Sequence, residues 1–175
     1  MTPNGERAAA VHALAEQQMQ EIVRQAEAGY PEEICGIVIG RRWVPKTYQV
    51  RQVRNIANQE RQKDTSGFER DARTAYRMDD REVLRVLREA DEAGWDVVTF
   101  YHSHPNHDAY FSAMDRDRAL AANQEPLWPG AAYLVVSVRG GRACDARYFV
   151  WDDAQRDFLE VPASLPVSTG VRSST

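Results

Sequence analysis

The stretch FYHSHPNHDAYFSAMD, Phe100 to Asp115, holds His102, His104 and His107, three of the chain's four histidines. The segment DVVTFY just before it (Asp96–Tyr101) is strongly β-prone, so His102 arrives at the C-terminal end of a buried strand. A strand turns residues i and i+2 to the same face, so His102 and His104 converge while Ser103 points away. Two converging imidazoles make a bidentate clamp for zinc, and Pro105 ends the strand by removing a donor. Downstream, SAMD sets Ser112 at a helix N-cap and Asp115 in the first turn. A capping box accounts for that pair on its own. The histidines ten residues earlier add a second role, because an aspartate held in a first helical turn is rigid enough to be a third ligand. Two histidines and one aspartate leave a fourth tetrahedral position for water, the pattern of a catalytic zinc. His107 is open to three readings, as a ligand, a substrate contact or an exposed loop histidine, and the loop reading is preferred.

A water activated in this way needs a proton acceptor, and a carboxylate from elsewhere in the chain would serve. GYPEEICGIVIG offers Glu32 and Glu33 just before a buried strand. Both also read as surface residues at a strand entrance, and periodicity does not choose between them.

The elements that must position these groups alternate along the chain. Ala10–Leu14 reads as a short strand. Met19, Ile22, Val23 and Ala26 form the apolar stripe of a helix that stops near Gly29, with Pro31 beyond. IVIG (Ile37–Gly40) and TYQVRQV (Thr47–Val53) are strands, followed by ANQERQKDTSG (Ala57–Gly67), a polar loop without periodicity. Val83, Val86, Leu87 and Ala90 mark a second helix, started by Asp79 or Asp80 and ended by Gly94. After the histidine strand and the helix opened by Ser112 come two strands, AAYLVVSV (Ala131–Val138) and ARYFVW (Ala146–Trp151), joined by the RGGR turn. This order predicts one α/β domain, a mixed sheet flanked by helices, over residues 10–160. Residues 1–9 and the Pro, Ser and Thr-rich tail 161–175 read as flexible.

Composition narrows the partners. A net charge of −4 over 175 residues, with both signs interspersed, gives no reason to expect nucleic acid or an anionic membrane. Cys35 and Cys144 are far apart and form no CxxC pair, which fits free thiols in a reducing cytoplasm. No apolar run reaches transmembrane length, and the first residues carry no signal-peptide core.

HSHP, six residues and SAMD together resemble the His-x-His-Pro-x6-Ser-x-x-Asp motif of the JAMM metalloproteases, the catalytically competent MPN domains. Their upstream Pro-x-Glu-x-Cys-Gly element matches Pro31, Glu33, Cys35 and Gly36, which selects Glu33 over Glu32. RNIANQ, YRMDD and PGAAYLVVSV are similar to the small prokaryotic branch, and the resemblance runs from about Ala10 to Asp152. It implies a fold related to that of cytidine deaminases. It implies Zn²⁺ on His102, His104 and Asp115, Glu33 as general base and Ser112 as oxyanion donor. The bond cut would be an amide or isopeptide after the C-terminal Gly-Gly of a ubiquitin-like protein or sulfur carrier. Cys35 looks structural, with no base beside it to make it a nucleophile. In members that cleave ubiquitin, a long insertion at the place of residues 57–67 holds the substrate's tail. The segment is short here, which favours a simpler substrate such as a tailed carrier, a carrier–cysteine adduct or a carrier–protein conjugate.

Two other classes compete. A non-catalytic MPN scaffold that only binds partners has usually lost one or more of these residues, and all five stand here. A nucleobase deaminase needs His-x-Glu and Pro-Cys-x-x-Cys, and neither occurs; nor does the HExxH of zincins.

Overall fold

A computed structural model describes residues 13–63 and 71–166. Four helices and six strands follow in the order α1 (Glu16–Gly29), β1 (Cys35–Gly40), β2 (Gln49–Val53), α2 (Ala57–Lys63), α3 (Asp80–Ala93), β3 (Asp96–Pro105), α4 (Ala113–Ala119), β4 (Ala132–Arg139), β5 (Arg142–Asp152) and β6 (Asp157–Pro162). They build one six-stranded sheet ordered β2-β1-β3-β4-β5-β6. Only β3 and β4 run parallel, and the other neighbours are antiparallel. A parallel pair needs a long crossover, and that crossover carries α4.

Each face of the sheet has its own apolar layer. On one face α1 lays Met19, Ile22 and Ala26 against Val38, Tyr101, Leu134 and Val136. On the other, α3 packs Val86 and Ala90 on Ile37, Ile39 and Val97. The same face continues past Phe100 to Ala119, Tyr133, Val135 and Phe149. Asp79 caps α3 by accepting from the Arg81 and Glu82 amides, and Gly94 ends it in the left-handed region at φ 64°. No helix among the described residues is long and apolar enough to cross a membrane.

Pairing between β1 and β3 slips at one point. Val38 faces Thr99 but Ile39 faces Val97, so Val98 is the extra residue of a β-bulge. Val98 belongs to the α1 layer while Phe100, two residues on, belongs to the α3 layer. The bulge thus reverses the alternation, and His102 and His104 follow Phe100 onto the face that α4 covers.

Several expectations need revision. Of the strand expected at Ala10–Leu14, residues 10–12 lie outside the described residues, and Ala13 and Leu14 form no strand. The polar segment 57–67 is not a loop throughout, since its first seven residues form α2. Asn55 accepts from the Ala57 amide at 3.0 Å and starts the helix, and Lys63 and Glu60 pair across one turn at 3.5 Å. Residues 64–67 lie outside the described residues. β6 went unanticipated and carries ordered pairing to Pro162, beyond the expected start of the tail. Its Phe158 ring packs on Phe111, Tyr133 and Trp151, and Ala163 still donates to the Ala146 carbonyl at 3.1 Å.

Candidate metal centre

β1 and β3 set Cys35 opposite His102 and Gly36 opposite Tyr101. Two bonds extend that register: the Ile34 amide donates to Ser103 Oγ at 2.9 Å, and the Ser103 amide donates to the Ile34 carbonyl at 3.0 Å. The next position on the same alternation puts Glu33 across from His104. Glu33 is 7% exposed. Its amide donates to the Ala72 carbonyl at 2.6 Å, and its carbonyl accepts from Asn55 Nδ2 at 2.9 Å. Glu32, by contrast, is exposed and accepts from Asn58 at 2.9 Å.

His102, His104 and Asp115 are all buried, and each offers one ligand atom, the set lying within 4.8 Å of one another. The two histidine Nε2 atoms stand 3.1 Å apart; His102 Nε2 is 3.5 Å from Asp115 Oδ1 and His104 Nε2 is 3.9 Å from Asp115 Oδ2. Tetrahedral zinc with bonds of about 2.0–2.1 Å separates neighbouring donors by roughly 3.4 Å. The two His102 separations bracket that value, while the 3.9 Å contact is to the carboxylate oxygen that Ser112 holds; with one donor atom from each residue within 4.8 Å of the others, the set suits a four-coordinate ion.

Neighbouring groups set the donors. The Asp108 carbonyl can only accept, so at 2.9 Å from His104 Nδ1 it fixes the proton there and leaves the Nε2 lone pair for a metal. Burial, helped by the His102 charge, pushes His104 down to about 4, so the ring is neutral at pH 7. Burial also opposes the His102 imidazolium, but the Asp115 carboxylate overrides it and the net shift is upward. Asp115 is likewise buried, yet His102 and the Ser112 bonds hold its carboxyl well below the usual range.

Ser112 is the N-cap of α4 and closes a full capping box. Its Oγ accepts from the Asp115 amide at 3.1 Å and donates to Asp115 Oδ2 at 2.6 Å, and its amide donates to the same oxygen at 2.9 Å. Capping box and ligand are therefore not rival readings, because the box aims the carboxylate. Glu33, His104, Ser112 and Asp115 line one cavity of about 330 Å³. His107 is exposed at its rim, outside the ligand set, and its carbonyl accepts from Ser137 at 2.6 Å. Cys35 is fully buried and donates to the Val53 carbonyl at 3.3 Å; burial pushes its thiol far up, which removes it as a nucleophile.

The residues that spacing missed are those brought in by the fold. Tyr76 stacks on His102 with ring centroids 4.5 Å apart, and Tyr110 tilts over His104 at 4.9 Å. Arg118 lies one turn beyond Asp115 and lines the cavity. Tyr76 sits in the YRMDD string, but only the fold shows what its ring touches.

Residues 15–151 match the family model described as prokaryotic homologs of the JAB domain. A desampylase from Haloferax volcanii is 35% identical over 118 residues, 67% of this chain and 71% of the relative. A CysO-cysteine peptidase from Mycobacterium tuberculosis is 30% identical over 125 residues, 67% of each chain. Among solved structures, a protein from Desulfitobacterium hafniense superposes with a TM-score of 0.61 at 23% identity, covering 87% of this chain and 90% of its own. A protein from Salinibacter ruber gives 0.55 at 24%, covering 90% and 93%. Those two likenesses speak to the fold, while the family match spans the three candidate ligands and Glu33. The chain belongs to the prokaryotic homologs of the JAB domain, within the JAMM family that its histidine motif resembles.

Proposed function

We propose that this protein is a zinc-dependent peptidase or isopeptidase that hydrolyses the bond after the C-terminal Gly-Gly of a ubiquitin-like protein or sulfur carrier. The observation that carries this reading is a buried two-histidine, one-aspartate set beside a cavity that also holds Glu33 and Ser112. The relatives named desampylase and CysO-cysteine peptidase support the substrate class.

His102 and His104 bind through Nε2 and Asp115 through a carboxylate oxygen. Bound there, zinc supplies Lewis acidity, which acidifies water and polarises a carbonyl. Glu33, on the cavity wall, takes the proton from the attacking water and returns it to the leaving amine. Ser112 Oγ faces the same cavity and donates to the scissile oxygen as negative charge builds on it. That donation exchanges one charge-assisted bond, to Asp115 Oδ2, for another of the same kind. The capping bond from the Asp115 amide to Oγ survives the exchange, so the ligand stays in place.

The test is to load the protein with zinc and incubate it with ubiquitin-like carriers extended beyond Gly-Gly. Intact mass is expected to show a cut after the second glycine that a chelator abolishes. A zinc-loaded protein that leaves several such carriers whole overturns the reading.

A further inference from the structure

Arg118 stands where two cavities meet. It lines the cavity of the ligand set and also a neighbouring one of about 280 Å³, walled by Met78, Phe100, Trp128 and Tyr133. Asp115 and Arg118 are three residues apart on α4 and so share a face. The Arg118 guanidinium lies over the Tyr76 ring, 5.4 Å from its centroid, and Nη1 donates to the Tyr76 carbonyl. Both partners are neutral. Arg77, the other arginine of the second cavity, is paired with Asp80 at 3.0 Å. Among the described residues no carboxylate pairs with Arg118.

A guanidinium offers five donors in a planar fork suited to a carboxylate. Tyr76 takes one of them and orients the plane by its ring. The charges point the same way. A divalent ion on the ligand set would take up the charge of Asp115, the carboxylate that shares the helix face with Arg118, and so remove it as a counterpart for the half-buried Arg118. A substrate that brings one carboxylate to this place restores neutrality. In an amino acid joined through its α-amine to a carrier's last glycine, the α-carboxylate stands two bonds from the scissile nitrogen. A lysine joined through its ε-amine carries no such group nearby.

We propose that Arg118 reads the leaving group by pairing with the α-carboxylate of a single amino acid attached to the carrier's C-terminal glycine. The inference rests on the peptidase reading above and narrows it to carrier–amino acid adducts over isopeptides. The residue's side chain then has the adjoining aromatic cavity to enter.

The probe is a fluorescent peptide ending in Gly-Gly-Leu, made as the free acid and as the C-terminal amide. Anisotropy on zinc-loaded Glu33→Gln protein measures binding without turnover. The acid is expected to bind about tenfold to a hundredfold tighter than the amide, the range of one charge-assisted pair. Adding Arg118→Gln is expected to erase the ratio, and Arg118→Lys to keep part of it. Melting curves and zinc content identify the variants that are folded and loaded. Equal affinity for acid and amide, a ratio that survives Arg118→Gln, or no binding of either form at millimolar peptide overturns the proposal. Active enzyme that cuts both forms equally well removes this inference alone and leaves the peptidase reading standing.

Discussion

Asn55 spends its whole side-chain amide on backbone. Nδ2 donates to the carbonyls of Glu33 at 2.9 Å and Ala75 at 3.2 Å, and Oδ1 accepts from the amides of Ala57 and Arg77, each at 3.0 Å. Those four bonds tie the Glu33 segment to the Tyr76 segment and to the start of α2. At about 1 kcal/mol each, their loss in Asn55→Ala is expected to cost roughly 2–4 kcal/mol in a denaturant melt. A cost under about 0.5 kcal/mol, the size of an ordinary surface change, would show that the clamp holds nothing. Ser112 serves the site twice, as cap and as facing hydroxyl. Ser112→Ala removes two of the bonds that aim Asp115, so zinc affinity is expected to fall about tenfold to a hundredfold. Turnover of the zinc-saturated variant is expected to fall about a further hundredfold or more. Zinc titration and saturated kinetics separate the two effects, and a loss confined to affinity would leave Ser112 a cap alone.

At the scale of elements, the boundaries that were legible are those set by local chemistry. Asp79 and Gly94 delimit α3, and the apolar stripe of α1 ends at Gly29. Asp79 also carries a pH signature. The Glu82 amide, the Arg81 amide and the Arg54 guanidinium hold its carboxyl below its ordinary value. A carboxyl lowered by folding stabilises above its unfolded value, about 3.9, and loses that contribution as pH falls through its folded value. The melting-temperature gap between wild type and Asp79→Ala is therefore expected to be open at pH 7 and to narrow below about pH 4. A gap that stays constant on acidification would mean that the charge of the cap adds nothing. The bulge at Val98 was not legible, because DVVTFYHSHP reads as one continuous β-prone run and an extra residue exists only relative to the partner strand. Yet the bulge decides which face receives the histidines. α2 and β6 were missed for related reasons. α2 buries only Ala57, so no apolar stripe announces it. β6 is an edge strand ending at Pro162, and what secures it is a set of aromatic contacts from distant segments.

Across the whole molecule, the candidate centre lies over the C-terminal half of β3, on the sheet face that α4 covers, where β3 runs parallel to β4. One strand brings both histidines, and the crossover returns Asp115 over them on α4. This part was readable because the three candidate ligands lie within fourteen residues and their spacing follows from a strand end and a helix cap. Glu33 was not readable from spacing, since its approach depends on the register of β1 against β3. The resemblance supplied it, and the register accounts for its position. Zinc that binds only the folded chain stabilises it by mass action, by about 4 kcal/mol at a thousandfold excess over its dissociation constant. The melting temperature is expected to rise with added zinc in wild type and to stay flat in Asp115→Ala. A rise that persists in the variant would place the ion elsewhere.

The most direct test is the Glu33→Gln variant, with zinc content and carrier cleavage measured on the same sample. Glu33 is not counted among the three ligands, so the variant is expected to retain about one zinc per chain, as a four-coordinate site with one open position implies. It is expected to lose cleavage after Gly-Gly by a factor of about 10² to 10⁴, the usual worth of a positioned proton acceptor. A loaded Glu33→Gln protein that still cuts within about threefold of wild type, below the smallest effect of such a group, would contradict the account.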